Sequence, residues 1–234
     1  MSNEPTNTQS TADAYRPDPA AETRVLIDAF FAALADALPE QDDLTARLRD
    51  RHERLLASQQ RRIVDEASRH NLALSLAVLA GYRELAPQIG DDELVPLLRA
   101  AFVEPFRATV RAATTATLDA APDPFAAMVD ISRQREQHVF GAGFVFAHPH
   151  DDRDHYVAQV ERCYYHQVLR ANGAEHLTAI FCAFDANWID AIAPARHGFT
   201  FERPTTIGTG GTNCPFRFRR AGRGSDAANR SRSG

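Results

Sequence analysis

The spacing of apolar residues changes near residue 137, and this change limits the possible folds more than any other feature of the chain. Within residues 21–136 the chain is rich in Ala, Leu and Arg, and apolar side chains recur at helical spacing, as in Ile27, Phe30 and Leu34. Within residues 137–220 aromatic and branched residues alternate with polar ones, which is typical of strands. The sequence therefore predicts an α+β fold, in which an N-terminal helical region packs on a C-terminal antiparallel sheet with helices.

Further helices are predicted in the first region. They are a helix from Asp42 to about Ala67, a helix over residues 71–90, and a helix that starts at Asp91 or Asp92. The second is apolar nearly all round, which predicts that it is buried. Pro96 and Pro105 are placed where they can split the third, because proline removes a backbone hydrogen bond.

The second region is predicted to contain the sheet and two more helices. Its elements are a strand within residues 138–150, a helix from Asp154 to about Asn172, a helix over 174–193, and strands over 199–203 and 214–220. Gly173 separates the two helices, so they are expected to be antiparallel neighbours. A turn rich in Gly and Thr, PTTIGTGGTN, joins the last two strands.

The two ends of the chain differ from the rest. Residues 1–20 and 221–234 are polar and have little to bury, so they are predicted to be disordered tails. Between them, the helical region (21–136) and the α+β region (137–220) are expected to form one continuous domain, with the functional site in the α+β region.

Composition excludes several classes of protein. All 26 basic residues are arginine, which excludes a Schiff-base lysine, a pyridoxal-phosphate anchor and a Walker phosphate lysine. A net charge of -5 argues against nucleic-acid binding. Neither a membrane span nor a signal peptide is apparent, and three cysteines cannot all pair. We therefore expect a cytoplasmic protein with free thiols, from a GC-rich bacterium, that acts on a small molecule; a homodimer is left open.

The three cysteines and two polar neighbours form the first candidate site. Cys163 precedes His166 by three residues on one predicted helix, and Cys182 precedes Asp185 by three on the next. This spacing places each pair on one helical face, and Cys214 begins a predicted strand. The five residues can therefore converge on one cleft as catalytic groups. The alternative is that the cysteines fill the core, because free cysteine is among the most buried residue types.

The turn before Cys214 is the second candidate site. Its glycines and threonines let backbone amides and hydroxyls approach a small anion, and an arginine fork before it can hold a carboxylate. The candidates for substrate binding are Arg203, Thr205, Thr206, Gly210, Gly211 and Trp188. The alternative is a flexible hairpin loop with Arg203 in a structural ion pair and Trp188 in the core.

The segment HPHDDRDHY, residues 148–156, is rich in metal-ligand residue types. Consecutive ligands in a loop match no recognised metal motif. The segment is therefore predicted to be a solvated turn that leads into a helix capped by Asp154.

The C-terminal segments CYYHQVLRANGAEHLTAIFCAFDANWIDAI and GFTFERPTTIGTGGTNCPFRF resemble the L-2-amino-thiazoline-4-carboxylic acid hydrolase family. Residues 71–102 resemble the helical half of that family, and the resemblance covers about 60–219. It implies hydrolytic opening of a thiazoline ring to N-carbamoyl-cysteine. The final Gly-x-x-Cys-x-Phe pattern also resembles the 4-vinyl-reductase type of ligand-binding domain.

Opening such a ring requires a nucleophile at the amidine-like carbon, a proton for the departing atom, and an anchor for the carboxylate. Asp185 or His166 can activate water, and His166 can protonate a departing thiolate. Alternatively a cysteine attacks first. Cys214 is then the first candidate and Cys182 the second, because the amides of the turn and Arg217 are expected to lower the pKa of the Cys214 thiol.

Hydrolysis of a small cyclic amidine or thioimidate carboxylate, by C–S or C–N cleavage, is thus the expected function. The substrate can be 2-amino-thiazoline-4-carboxylate or a related ring in bacterial secondary metabolism. No cofactor is expected, with zinc bound by the three cysteines and His166 as the alternative, although their separations match no compact zinc motif. A further alternative is a noncatalytic domain that binds a small molecule without turnover.

Overall fold

Five α-helices make up the helical half of the computed structural model, which describes residues 18–222. They are α1 (Pro19–Ala37), α2 (Leu44–Gln59), α3 (Glu66–Leu85), α4 (Asp91–Ala120) and α5 (Pro124–Arg135). Asp18 caps α1 by accepting a hydrogen bond from the Ala21 N–H at 3.0 Å. Helix α1 thus begins within the predicted N-terminal tail, while residues 1–17 and 223–234 of the predicted tails lie outside the described residues.

Helix α3 is buried, as its apolar sequence predicts. Leu72, Leu76 and Leu79 have no exposed surface, and α3 packs against α1, α2 and α4. Its first turn is fixed by a capping box, in which the Ser68 N–H donates to Asp65 Oδ1 at 2.7 Å and the Asp65 N–H donates to Ser68 Oγ at 2.9 Å. Helix α2 ends at Gln59, before this cap, so the helix predicted over residues 42–67 is wrong at its C-terminal end. The N-cap position of α2 is Asp43 rather than Asp42, and it makes no side-chain cap hydrogen bond.

Helix α4 is not split by its prolines. It continues through both Pro96 and Pro105. Each proline removes only its own hydrogen bond, and buried side chains between the two prolines, such as Leu98 and Phe102, hold the helix against α1.

The second half contains a four-stranded antiparallel sheet, so the α+β fold is confirmed. Its strands are β1 (Val145–Ala147), β2 (His155–Arg162), β3 (Phe199–Glu202) and β4 (Cys214–Arg220), in the order β1-β2-β4-β3. β2 pairs with β4 along its length, from His155 opposite Arg219 to Val160 opposite Cys214. The two predicted C-terminal strands are therefore confirmed, and β4 lies in the interior of the sheet.

The prediction of a helix over residues 154–172 is wrong for its first half. Residues 155–162 form β2, and only Tyr164–Arg170 are helical, as α6. Tyr156, Val157, Ala158 and Val160 are all buried, as expected for a short apolar run in an interior strand. Asp154 does not cap a helix but lies in the turn before β2, where its N–H donates to Asp152 Oδ1 at 2.9 Å.

Two other predicted elements differ in the structure. The strand predicted within residues 138–150 is helical over its first six residues, because Glu136–Phe140 form a π-helix and Gly141–Gly143 a 3-10 helix, so that only β1 is a strand. The helix predicted over 174–193 is broken into a 3-10 helix (Glu175–Leu177), α7 (Thr178–Phe184) and α8 (Ala186–Ile189), and α9 (Pro194–His197) follows.

The largest apolar core joins the two halves of the chain. It contains leucines of α3 and α4 together with Val160, Tyr164 and Cys214 from the α+β region. A second cluster packs α5 against the sheet through Phe125, Phe199 and other aromatic residues. None of the helices within residues 18–222 has the length and apolar character that a membrane crossing requires.

Candidate functional site

The Gly/Thr-rich turn contacts two of the three cysteines. The Ile207 N–H donates to Cys214 Sγ at 3.1 Å, and the Thr206 hydroxyl and Gly208 N–H donate to the Cys182 thiol. A Cβ atom on Gly208 would lie 2.7 Å from Cys182 Sγ, so the close approach requires glycine. The turn therefore holds these two thiols side by side.

Cys163 completes what we call the thiol cluster, which consists of Cys163, Cys182 and Cys214. Its thiol lies near enough to interact electrostatically with both of the others. Cys163 does not lie on the helix with His166, as predicted, but immediately precedes α6. The three cysteines thus come from the β2–α6 junction, from α7 and from the start of β4.

An ion pair between Asp185 and Arg203 adjoins the thiol cluster. Arg203 Nη1 donates to Asp185 Oδ2, and its Nη2 donates to the Cys182 carbonyl at 2.9 Å. The guanidinium also lies over the Phe216 ring, 5.2 Å from its centroid. Arg203 is therefore in an ion pair, with its Nη1 and Nη2 each donating a hydrogen bond to the protein itself.

Trp188 supports the carboxylate of this pair from the other side. Its Nε1 donates to Asp185 Oδ1 at 3.2 Å, and its ring stacks on Phe216 and Phe218. Nevertheless the side chain of Asp185 stays 27 % exposed and that of Arg203 15 % exposed. Solvent-sized molecules can therefore reach the pair, although it lies between the sheet and α7.

Burial has the largest effect on the pKa values of the site residues. It raises the pKa of Cys214 to about 11 and that of Cys163 to about 12, and it also raises the pKa of Cys182. Burial raises the pKa of Asp185 as well, although Arg203 acts in the opposite direction. At neutral pH the three thiols are therefore protonated.

The expected lowering of the Cys214 pKa is therefore wrong. The turn does supply an amide donor to the thiol, but one hydrogen bond does not outweigh burial. Arg217 does not contribute, because residues three apart in a strand point to opposite faces. Cys214 is buried and Arg217 is exposed.

His166 lies away from Asp185, at a surface cleft of about 180 Å³ that we call the Cys163 cleft. Its Nδ1 is 3.2 Å from Thr178 Oγ1. The lining consists of Glu161, Arg162, Cys163, His166, Gln167, Arg170, Ile207, Gly211 and Thr212. The five predicted catalytic residues thus form two groups, the thiol cluster with Asp185 and the cleft with His166, and Cys163 belongs to both.

The predicted substrate-binding residues of the turn have different positions. Gly211 lines the Cys163 cleft, and a Cβ there would lie 2.0 Å from Thr205 Oγ1. Thr206 is buried, with its hydroxyl 2.9 Å from that of Thr209. Gly210 is exposed and has φ 92°, which favours glycine. Of these residues only Gly211 faces the cleft, and the others shape the turn.

Several residues near the site were missed by the sequence interpretation. Arg162, Gln167, Arg170 and Thr212 line the Cys163 cleft. Arg162 is the last residue of β2 and directly precedes Cys163. The sequence interpretation missed this strand-to-helix junction because it predicted a single helix across it. The short apolar run over residues 156–160 was the signal that could have revealed the junction.

Within residues 18–222, no group of three or more His, Cys, Asp or Glu side chains is arranged to hold a metal ion. The four residues of the zinc alternative lie in this part of the chain. Two of their thiols accept hydrogen bonds from the turn, and His166 contacts Thr178. The donor set therefore does not fit zinc.

Comparison with known proteins identifies the family. Searches of curated proteins and of solved structures found no match. The family model described as L-2-amino-thiazoline-4-carboxylic acid hydrolase matches residues 68–218, more than half of the chain. The matched range includes the thiol cluster, the Asp185–Arg203 pair and the Cys163 cleft. The chain therefore belongs to the L-2-amino-thiazoline-4-carboxylic acid hydrolase family.

Proposed function

We propose that this protein hydrolyses a small cyclic amidine or thioimidate carboxylate such as 2-amino-thiazoline-4-carboxylate. The family supports a hydrolase acting on a thiazoline carboxylate. The observation that carries the proposal is the solvent-accessible Asp185 carboxylate, held by Arg203 and Trp188 beside three neutral thiols. Such a carboxylate is suited to proton transfer near neutral pH, because burial raises its pKa.

In the proposed reaction Asp185 removes a proton from a water molecule that attacks the amidine carbon. The C–S bond of the ring then breaks, and the same proton passes from Asp185 to the departing sulfur. The product contains one molecule of water more than the substrate, as N-carbamoyl-cysteine does relative to the thiazoline. Arg203 and Trp188 orient the two carboxylate oxygens throughout.

The raised thiol pKa values favour this water route over attack by cysteine. A thiol with a pKa of about 11 or 12 is almost entirely protonated at neutral pH, and the neutral form is a poor nucleophile. We assign the thiol cluster to the pocket wall, where the polarisable sulfur atoms can contact the sulfur of the ring.

The substrate carboxylate requires an anchor other than Arg203. Arg162 and Arg170 line the Cys163 cleft, and neither pairs with a carboxylate within the described residues. A carboxylate held there would direct the ring toward Cys163 and toward the Asp185–Arg203 pair behind Cys163. His166, in the same cleft, is the alternative proton donor for the departing sulfur.

Product analysis by mass spectrometry tests this function. The protein is incubated in H₂¹⁸O with 2-amino-thiazoline-4-carboxylate and with related cyclic amidines and thioimidates. We expect a ring-opened product that carries one ¹⁸O atom. Asp185→Asn should lower kcat by about 10²–10⁴-fold, and the control Asp190→Asn, at an exposed carboxylate of the next turn, should not. If no ring of the panel is opened, the proposal is wrong.

A noncatalytic small-molecule-binding domain is the second candidate. Two observations favour it. The thiols are protonated and therefore poor nucleophiles, and the guanidinium of Arg203 is already bonded to the protein itself. In that case the same incubation would show saturable binding of the thiazoline with no product. Calorimetric titration of the same samples separates the two functions.

A further inference from the structure

A second and larger concave surface adjoins the Cys163 cleft. It has a volume of about 340 Å³ and is lined by Arg61, Arg62, Val64, Ala142, Gly143, Arg162, Tyr164, Gln167 and Val168. We call it the arginine groove. Arg162 and Gln167 belong to both surfaces, but the groove contains none of the residues to which the proposed hydrolysis assigns a proton transfer.

The three arginines of the groove have no acidic partner in the described part of the chain. Within residues 18–222 no carboxylate is paired with Arg61, Arg62 or Arg162. Arg62 Nε donates to Gln59 Oε1 at 2.8 Å, and Arg162 Nη2 donates to the Ala142 carbonyl at 3.3 Å. These neutral partners position two guanidinium groups without neutralising them, so the groove is positively charged in a chain of net charge -5.

The acidic residues near the groove do not cancel this charge. Asp65 directly follows Val64 of the groove, and its carboxylate accepts hydrogen bonds from the Ser68 N–H at 2.7 Å and the Ala142 N–H at 2.6 Å. Glu161 lines the neighbouring cleft and is exposed. Three guanidinium groups against two peripheral carboxylates leave a net positive surface.

The walls of the groove are joined by a direct contact. The Tyr164 hydroxyl donates to the Arg62 carbonyl at 2.7 Å, which ties the 3-10 helix Gln60–Arg62 to α6. Gly143 forms part of the floor, where a Cβ atom would lie 2.6 Å from the Tyr164 ring. The arginines are therefore presented by a preformed surface, which lowers the entropic cost of binding.

We propose that the arginine groove binds a small, multiply charged oxyanion group, of the kind found in polycarboxylates and phosphate esters. A guanidinium group forms bidentate, charge-assisted hydrogen bonds with both. Three of them around one concave surface favour more than one negative charge. This inference goes beyond the proposed function. Arg162 is shared with the anchor proposed there, whereas Arg61 and Arg62 line the groove and not the Cys163 cleft.

Isothermal titration calorimetry of the full chain with citrate and with pyrophosphate tests the proposal. We expect saturable binding at one site. Arg61→Gln combined with Arg62→Gln should weaken it by about tenfold or more, because each change removes charge-assisted contacts. The matched control combines Arg217→Gln with Arg219→Gln, which removes the same charge from exposed positions on the sheet and should leave the affinity unchanged.

The outcomes separate the sources of the anion. Binding of citrate alone identifies polycarboxylates, binding of pyrophosphate alone identifies phosphates, and either result supports the site. Arg61→Gln alone is a second test that spares folding, because Arg61 is exposed. The proposal is wrong if neither probe binds at millimolar concentration, or if the sheet variants weaken binding as much as the groove variants do.

Discussion

Replacing Arg203 by glutamine should lower the free energy of unfolding by about 3 kcal/mol at neutral pH. The variant loses the donor to the Cys182 carbonyl, which Arg203 reaches at 2.9 Å, and it leaves Asp185 without a counter-charge. Removing one partner of a buried pair costs about 3–5 kcal/mol. The lower end applies, because the Asp185 side chain is 27 % exposed and solvent partly screens its charge.

The loss should depend on pH in a defined direction. Burial already raises the pKa of Asp185, and Arg203 is the main group that opposes this. Without Arg203 the pKa rises further. A carboxyl group whose pKa is higher in the folded than in the unfolded state stabilises the fold only while it is protonated. The deficit of the variant relative to the parent should therefore be smallest in acid and should grow as pH rises through the raised pKa that Asp185 has in the folded parent.

Urea unfolding at about pH 5 and about pH 8 measures both effects. Arg107→Gln is the matched control, because its pair with Glu104 is exposed and screened by solvent, so that its loss should change the stability little. Adding Asp185→Asn to Arg203→Gln should restore part of the stability at the higher pH. A loss no larger than that of Arg107→Gln, or an equal loss at both pH values, would refute the assignment of a buried, coupled pair.

Three further predictions follow from single contacts. Gly208→Ala should destabilise the protein by about 1–3 kcal/mol, because its Cβ would lie 2.7 Å from Cys182 Sγ; thermal unfolding should show little change for the control Gly222→Ala, which has open space around it. Alkylation of the folded protein by iodoacetamide should be slow at neutral pH and accelerate with rising pH, because the thiol pKa values are raised; a rapidly labelled cysteine in the thiol cluster would contradict this. Glu84→Gln should cost about 2 kcal/mol at neutral pH, because Arg47 and Arg51 hold the pKa of this partly buried carboxyl below its usual value. Its stabilising effect should be lost as pH falls through that pKa, so equal acid sensitivity of variant and parent would argue against it.

The helical half was largely predictable from sequence. The spacing of Ile27, Phe30 and Leu34, and the apolar character of residues 71–90, reflect burial that the structure confirms. Boundaries were less predictable, since the start of α3 is fixed by the Asp65–Ser68 capping box and by the contact of Asp65 with Ala142. That last contact joins residues far apart in sequence, which no local pattern can show.

The α+β half was harder, because its strands depend on their partners. Residues 155–162 form a strand because they pair with β4. The sequence interpretation gave more weight to Asp154 as a helix cap than to the spacing of the apolar residues that follow it. The proximity of the three cysteines was foreseeable from two helices and a turn. Their protonation was not, because pKa values depend on the burial that tertiary packing produces.

Other expectations stay predictions. The roles of the site residues, a cytoplasmic location, the absence of a cofactor and of nucleic-acid binding, and a homodimer each require experiments of their own. The family and the α+β fold do not depend on them.

Intact-protein mass spectrometry during turnover of the thiazoline tests the central claim most directly, namely that water activated by Asp185 opens the ring. The water route predicts that the mass of the protein stays unchanged at every time point, and that Cys182→Ser and Cys214→Ser retain activity within about tenfold of the parent. A covalent adduct with the mass of the substrate, lost in one of these two variants together with several orders of magnitude in kcat, would contradict the account and make that cysteine the nucleophile.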